Sequence, residues 1–169
     1  MLDNFSELLN VSISTVIAGV CATAIMDVWA LLLKVIFNIT SLNYAMVGRW
    51  IGHMANGKLM HEHIANSSPI VNESIIGWTA HYLIGIIFSA ALVLTQGASW
   101  FHSPSVAPAI TIGLLTVAFP FLLMQPCFGM GIAATKQSAS HINQLKSLTA
   151  HLIFGLGLYV SALLINTLL

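Results

Sequence analysis

The sequence predicts an all-α membrane protein built from four transmembrane helices. Three observations lead there. Only 6% of the 169 residues are charged and 57% are hydrophobic, whereas soluble domains carry about a quarter charged residues. The mean hydropathy of +0.91 is concentrated in four segments, each near the roughly 20 apolar residues that a helix needs to cross a bilayer. No segment alternates with the period of two that a strand requires, and lipid leaves no partner for an unpaired backbone group, so the spans are expected to be helical. A net charge of zero argues against a nucleic-acid partner held by general basicity. The bilayer is the first expected partner.

The N-terminus, MLDNFSELLN, has Asp3 and Glu7 but no basic residue. It lacks the basic start of a cleaved secretory signal and is expected to be retained. The first span is read from about Val11 to Leu33, ending at Lys34. The long first connection contains a short helix predicted over Tyr44–Asn56 and stopped by Gly57. Met46, Trp50 and Met54 lie four apart there, with Arg49 and His53 on another face, the pattern of a helix lying in the membrane interface. The second span is read from about Ser74 to Thr95, and the third from about Val106 to Cys127. Pro108 sits in the first turn of the third span, where proline is tolerated. Pro120, deeper in, predicts a kink. The fourth span is read from about Ser147 to Leu168. Cys21 and Cys127 fall at different depths, so no disulfide is expected.

The basic residues are Lys34, Arg49, Lys58, Lys136 and Lys146, all at or within the first and third connections. By the positive-inside rule those connections are cytoplasmic and both termini lie outside. The expected setting is the inner membrane, with residues 1–169 as one polytopic domain. Residues 79–85 read TAHYLIG and residues 149–155 read TAHLIFG. Each stretch opens an even-numbered span on the same side. The chain therefore reads as two parallel helix-pair repeats, residues 11–95 and 106–168.

Residues four apart share a helix face. Thr15, Gly19, Thr23 and Asp27 form one row, Gly77, His81, Gly85 and Ser89 a second, and Ser147, His151, Gly155 and Tyr159 a third. Small residues let membrane helices approach closely, so these rows should face the bundle interior. The third span contributes Thr116, Pro120 and Gln125. At a rise of about 1.5 Å per residue, Asp27, His81 and His151 lie roughly 8–12 Å in from the same side. They are expected to converge there, with Gln125 and Thr23 beside them, as walls of one polar site.

The order of residues resembles a family of bacterial four-span membrane proteins recorded as a domain of unknown function. The resemblance runs from Gly19-Val20-Cys21-Ala22-Thr23 to Met26-Asp27, then Asn43-Tyr44 and Gly48-Arg49-Trp50-Ile51-Gly52-His53. It continues with Gly57 to His61, Gly77-Trp78 to His81-Tyr82, Pro120-Phe121 and Gln125-Pro126. It closes with Gly129, Gly131, Ser147-Leu148, His151 and Phe154-Gly155-Leu156-Gly157-Leu158. The resemblance implies the four-span fold and brings no activity with it.

Function is then open among several readings. An ionised aspartate in hydrocarbon is costly and marks a functional site by default. Asp27 with His81 or His151 would make a proton or cation relay for small-solute transport, since histidine titrates near neutrality. Four helices enclose little space, so that reading expects a homodimer. Alternatively, facing histidines hold haem or a divalent metal in bundles. Gly85 and Gly155 would then leave room for a macrocycle, and His81, His151 and Asp27 would match a two-histidine, one-carboxylate set. A third reading places an enzyme for lipid head groups at the cytoplasmic face, using Arg49 for phosphate and His53, His61 or Glu73 nearby. The MHEHI stretch at 60–64 otherwise reads as a solvated loop. No nucleophile elbow, zincin or phosphate-loop pattern is present, which weighs against enzyme chemistry. The plainest alternative is that the polar cluster only holds helices together.

Overall fold

The computed structural model describes residues 2–168, and among them every regular element is helical. The helices are α1 (Leu2–Phe37), α2 (Tyr44–Met54), α3 (Glu73–Gln96), α4 (Val106–Leu115), α5 (Gln125–Cys127) and α6 (Ser140–Leu168). Four stretches are long and apolar enough to cross a membrane: Phe5–Phe37, Glu73–Gln96, Val106–Cys127 and Ser140–Thr167. The chain is a multi-pass integral membrane protein.

The first and fourth helices run longer than their apolar segments. No proline interrupts α1, which ends only where Asn38 takes a positive φ of 55°. Helix α6 starts at Ser140, and its polar first turns are held by Gln144 Nε2 donating to Ala133 O at 2.9 Å. In the third span the break precedes the proline. Helix α4 stops at Leu115, and Phe119–Met124 is wound as a π-helix, with Gln125 N–H reaching back to Pro120 O. Pro120 has no N–H to give, and the wider winding absorbs the irregularity.

Helix packing is set by glycine. A Cβ on Gly19 would stand 2.6 Å from Ile86 Cα, so α1 and α3 touch backbone to backbone. The α4–α6 pair crosses in the same manner, with a Cβ on Gly113 falling 2.6 Å from His151 O and 2.8 Å from Gly155 Cα. Helix α6 also lies close on α1, where a Cβ on Gly157 would meet Ala22 Cα at 2.8 Å. The remaining neighbours, α3 and the third span, meet loosely through the Phe88 and Phe119 rings at 5.6 Å. Two phenyl rings stand there where the other crossings have glycine, and the two helices approach closely at fewer places.

The two ends differ. After α3, the 3-10 turn Ala98–Phe101 buries Trp100 and Phe101 in the core with Ala162 and Ile165 of α6. This aromatic plug closes the bundle at the short second connection. At the other end, α2 is the predicted short helix, started by Asn43 Oδ1 accepting from Ala45 N–H at 3.0 Å. It does not lie free on the interface. A Cβ on Gly48 would overlap Glu73 O, and one on Gly77 would overlap Tyr44 O, so α2 sits directly on the start of α3. Val47 and Trp50 of α2 then form a second core with Ile64, Cys127 and Phe128.

Candidate functional site

Asp27 and His81 meet. His81 Nε2 lies 3.0 Å from Asp27 Oδ1, and Tyr82 donates its hydroxyl to Asp27 Oδ2, also at 3.0 Å. The carboxylate has no proton to give when ionised, so Nε2–H is the donor and neutral His81 keeps a lone pair on Nδ1. Tyr44 of α2 stacks on the imidazole with centroids 4.1 Å apart. Burial, with Asp27 and Tyr82 nearby, pushes the Tyr44 phenol well above its ordinary value, so it stays protonated.

His151 has a different partner. Its Nδ1 lies 2.8 Å from Thr116 Oγ1, and the Thr116 hydroxyl donates to Gly113 O at 2.6 Å. The single hydroxyl proton is thereby committed, so His151 Nδ1–H donates and Nε2 is left as an acceptor. Thr23, expected beside these groups, donates to Gly19 O of its own helix at 2.7 Å and packs against Gly85. Gln125 is 5% exposed, with Nε2 donating to Ser147 Oγ at 3.4 Å and Oε1 buried without a partner among the described residues.

His81, His151, Thr23 and Gln125 line one cavity of about 500 Å³, a size typical of small-molecule sites. All four spans contribute to it. Its apolar walls include the buried Phe154, the partly buried Phe88 and the half-exposed Phe119, and towards the first and third connections it is bounded by Asn43, Asn143 and Lys146. Asp27 is not part of the lining. It reaches the cavity only through its hydrogen bond to His81.

The glycines expected to leave room for a macrocycle do not do so. Gly85 is filled by Thr23 and Gly19, and a Cβ on Gly155 would stand 2.7 Å from Ala109 O. They are helix contacts. A metal set of His81, His151 and Asp27 also fits poorly, because the His81 nitrogen facing Asp27 is hydrogen-bonded to it.

The loop-side residues form a separate assembly. Arg49 pairs with Glu73 through two 2.8 Å bonds, from Nε to Oε2 and from Nη2 to Oε1. Its Nη1 reaches Ile64 O, Ala65 O and Ser67 O at 3.0–3.3 Å. The Glu73 carboxylate raises the guanidinium above its already high value. So engaged, Arg49 clamps the loop onto α3 and has little left for a phosphate. His53 Nε2–H donates to Ser68 O at 2.9 Å, and His53 Nδ1 lies 2.9 Å from His61 Nε2. His61 is not solvated as the MHEHI reading expected. It is 6% exposed, with its backbone N–H donating to Cys127 O at 2.9 Å. Burial, reinforced by His53 and Lys58, lowers its pKa from the ordinary value. Gly129, at φ +85°, lets the loop in, since a Cβ there would overlap Glu62 O.

Residues 16–165 match a protein family described as "Protein of unknown function (DUF2938)". The chain belongs to this family. The DUF2938 match takes in every candidate residue from Thr23 to His151. Neither the curated proteins nor the solved structures give a match.

The row reasoning missed Tyr82, whereas Thr116, named with the third span, is the partner of His151. Tyr82 follows His81 directly, and adjacent helix residues point about 100° apart, so a row of fours passes over it. Thr116 sits where α4 ends and the helical frame shifts. Trp29 Nε1 was also missed. It is buried without a partner among the described residues, and Trp29 lines the cavity.

Proposed function

We propose that this DUF2938 member is a small proton-coupled carrier whose solute occupies the cavity between the four spans. The observation that carries this reading is the pair of histidines in one cavity. Each is held through one ring nitrogen, His81 by Asp27 and His151 by Thr116, with the other nitrogen uncommitted. An imidazole held in this way presents its second nitrogen to a solute in the cavity as a hydrogen-bond and proton acceptor. The other groups near His81 are Trp78 and Tyr82 on α3, Tyr44 on α2 and, in the same cavity, His151 on α6. The cavity reaches the connections that contain the basic residues, so on the positive-inside rule it opens to the cytoplasm of the inner membrane. One chain encloses the space, which removes the earlier reason for requiring a homodimer. The matched glycine crossings, Gly19 on Gly85 and Gly113 on Gly155, support reading the chain as a duplicated helix pair.

The test uses proteoliposomes with a pH dye inside and a pool of small organic solutes outside. Solute-dependent acidification is expected for the wild type, and loss of it for Asp27→Asn. Equal acidification by both proteins would defeat the relay.

A further inference from the structure

We infer that the cavity takes an amphipathic anion, a carboxylate or phosphate ester on a mainly apolar body. This assigns the substrate class of the carrier reading and rests on it. Charge decides the sign. Among the described residues Lys146 is the one formally charged side chain in the lining, and no carboxylate residue is part of it. The nearest acid, Asp27, already accepts two hydrogen bonds, from His81 and Tyr82. A cation would meet Lys146 with nothing to neutralise it.

The uncommitted donors point the same way. Asn43 uses its Oδ1 to start α2, which leaves its amide N–H₂ free at the cavity. Tyr44 also lines the cavity, and its phenol has a proton to donate. Trp29 Nε1–H is buried with no acceptor among the described residues, and Ser147 accepts from Gln125 while keeping its own proton. Gln125 is the independent sign of a missing ligand, being nineteen-twentieths buried with one amide atom unpartnered. Its contact with Ser147 is equally well made with the amide turned over; Ser147 then donates to Oε1 and the free donor is the Gln125 amide instead of the Ser147 hydroxyl. A donor-rich, acid-free wall suits an acceptor-rich head group. The phenyl rings of Phe88, Phe119 and Phe154 receive the apolar body.

The chemistry is shared by a lipid-derived anion, a water-borne acid and free phosphate, and the experiment separates them. The full chain is placed in nanodiscs of zwitterionic lipid, with empty nanodiscs correcting for partition. The probe is 11-(dansylamino)undecanoic acid, read by its fluorescence, with its methyl ester as the uncharged counterpart. The acid is expected to bind, and Lys146→Gln to weaken it about tenfold, the size of one charge-assisted hydrogen bond. Lys146→Arg should restore most of the affinity, and Lys136→Gln should change nothing. Competition by dodecanoate marks an acyl anion, competition by dodecyl phosphate alone marks a phosphate ester, and competition by inorganic phosphate marks a free anion. Dodecylamine competing as well as dodecanoate would overturn the inference. So would unchanged affinity in a folded Lys146→Gln protein, or an ester that binds as tightly as the acid. Binding without proton flux would leave the anion site standing and remove only the carrier reading.

Discussion

Gly19→Ala tests whether the α1–α3 crossing sets the Asp27–His81 contact. A Cβ at Gly19 would stand 2.6 Å from Ile86 Cα and 2.9 Å from Gly85 O. Carbon atoms pack at about 3.5–4.0 Å, so the helices must separate by about 1 Å at the crossing. Both obstacles are backbone, and no rotamer change relieves them. His81 lies four residues before Gly85, close enough to follow the displacement. A separation of that size stretches the 3.0 Å contact between His81 and Asp27 to about 4 Å, outside hydrogen-bond range. Overpacking costs about 1–3 kcal/mol, and a lost bond to a charged group costs about 1.5–3 kcal/mol. The two overlap and should not be added. The assay is unfolding in nanodiscs, paired with infrared spectra in which subtraction of the Asp27→Asn protein isolates the Asp27 carboxylate. Gly19→Ala should unfold earlier and shift that band. Cys21→Ala, exposed on the same helix, should stay within about 0.5 kcal/mol of the wild type. A Gly19→Ala protein that matches the wild type in both measurements would refute the reasoning.

Three further outcomes are expected. Asp27→Asn presents an amide to two donors, His81 Nε2–H and Tyr82 O–H, and should cost about 1–3 kcal/mol. Adding Tyr82→Phe should recover part of that loss, measured as a double-mutant cycle in nanodiscs. Arg49→Lys replaces a planar fork with a point charge and should loosen residues 64–70, seen as faster amide exchange, at about 1–3 kcal/mol. The loop around His61 should be pH-sensitive. Its folded pKa is lowered, so the unfolded loop binds the proton more readily. Its stability is complete above the unfolded value of about 6.5 and is lost as pH falls below that towards the folded one. Trp50, whose Nε1 donates to Leu59 O, reports the change by fluorescence, and His61→Gln should flatten it.

The spans, the short helix and the Asp27–His81 meeting were legible because each rests on a pattern within one helix. Apolar length marks a span, and a row of fours marks a face. Depth counted from the charged ends then brought Asp27 and His81 to one level. What escaped notice depended on contacts between elements. Gly85 and Gly155 read as free volume, yet each is filled by a neighbouring helix that the row pattern does not contain. His61 read as loop because nothing in MHEHI reports that Cys127 and Phe128 will cover it. The π-wound stretch also escaped, since Pro120 announces a break but not how the chain repairs it.

The Trp100–Phe101 plug has an electrical consequence. On the carrier reading, water and ions follow the open end of the bundle as far as the cavity, and the plug stops them there. The membrane potential therefore falls mainly across the closed half, between the histidines and the short second connection. A proton or an anion that enters and leaves through the open end crosses little of that field. Its binding should be nearly indifferent to voltage, while a charge that passes the plug meets almost all of the roughly 2.3 kcal/mol per 100 mV. The plug thus separates a voltage-silent binding step from a voltage-sensing crossing.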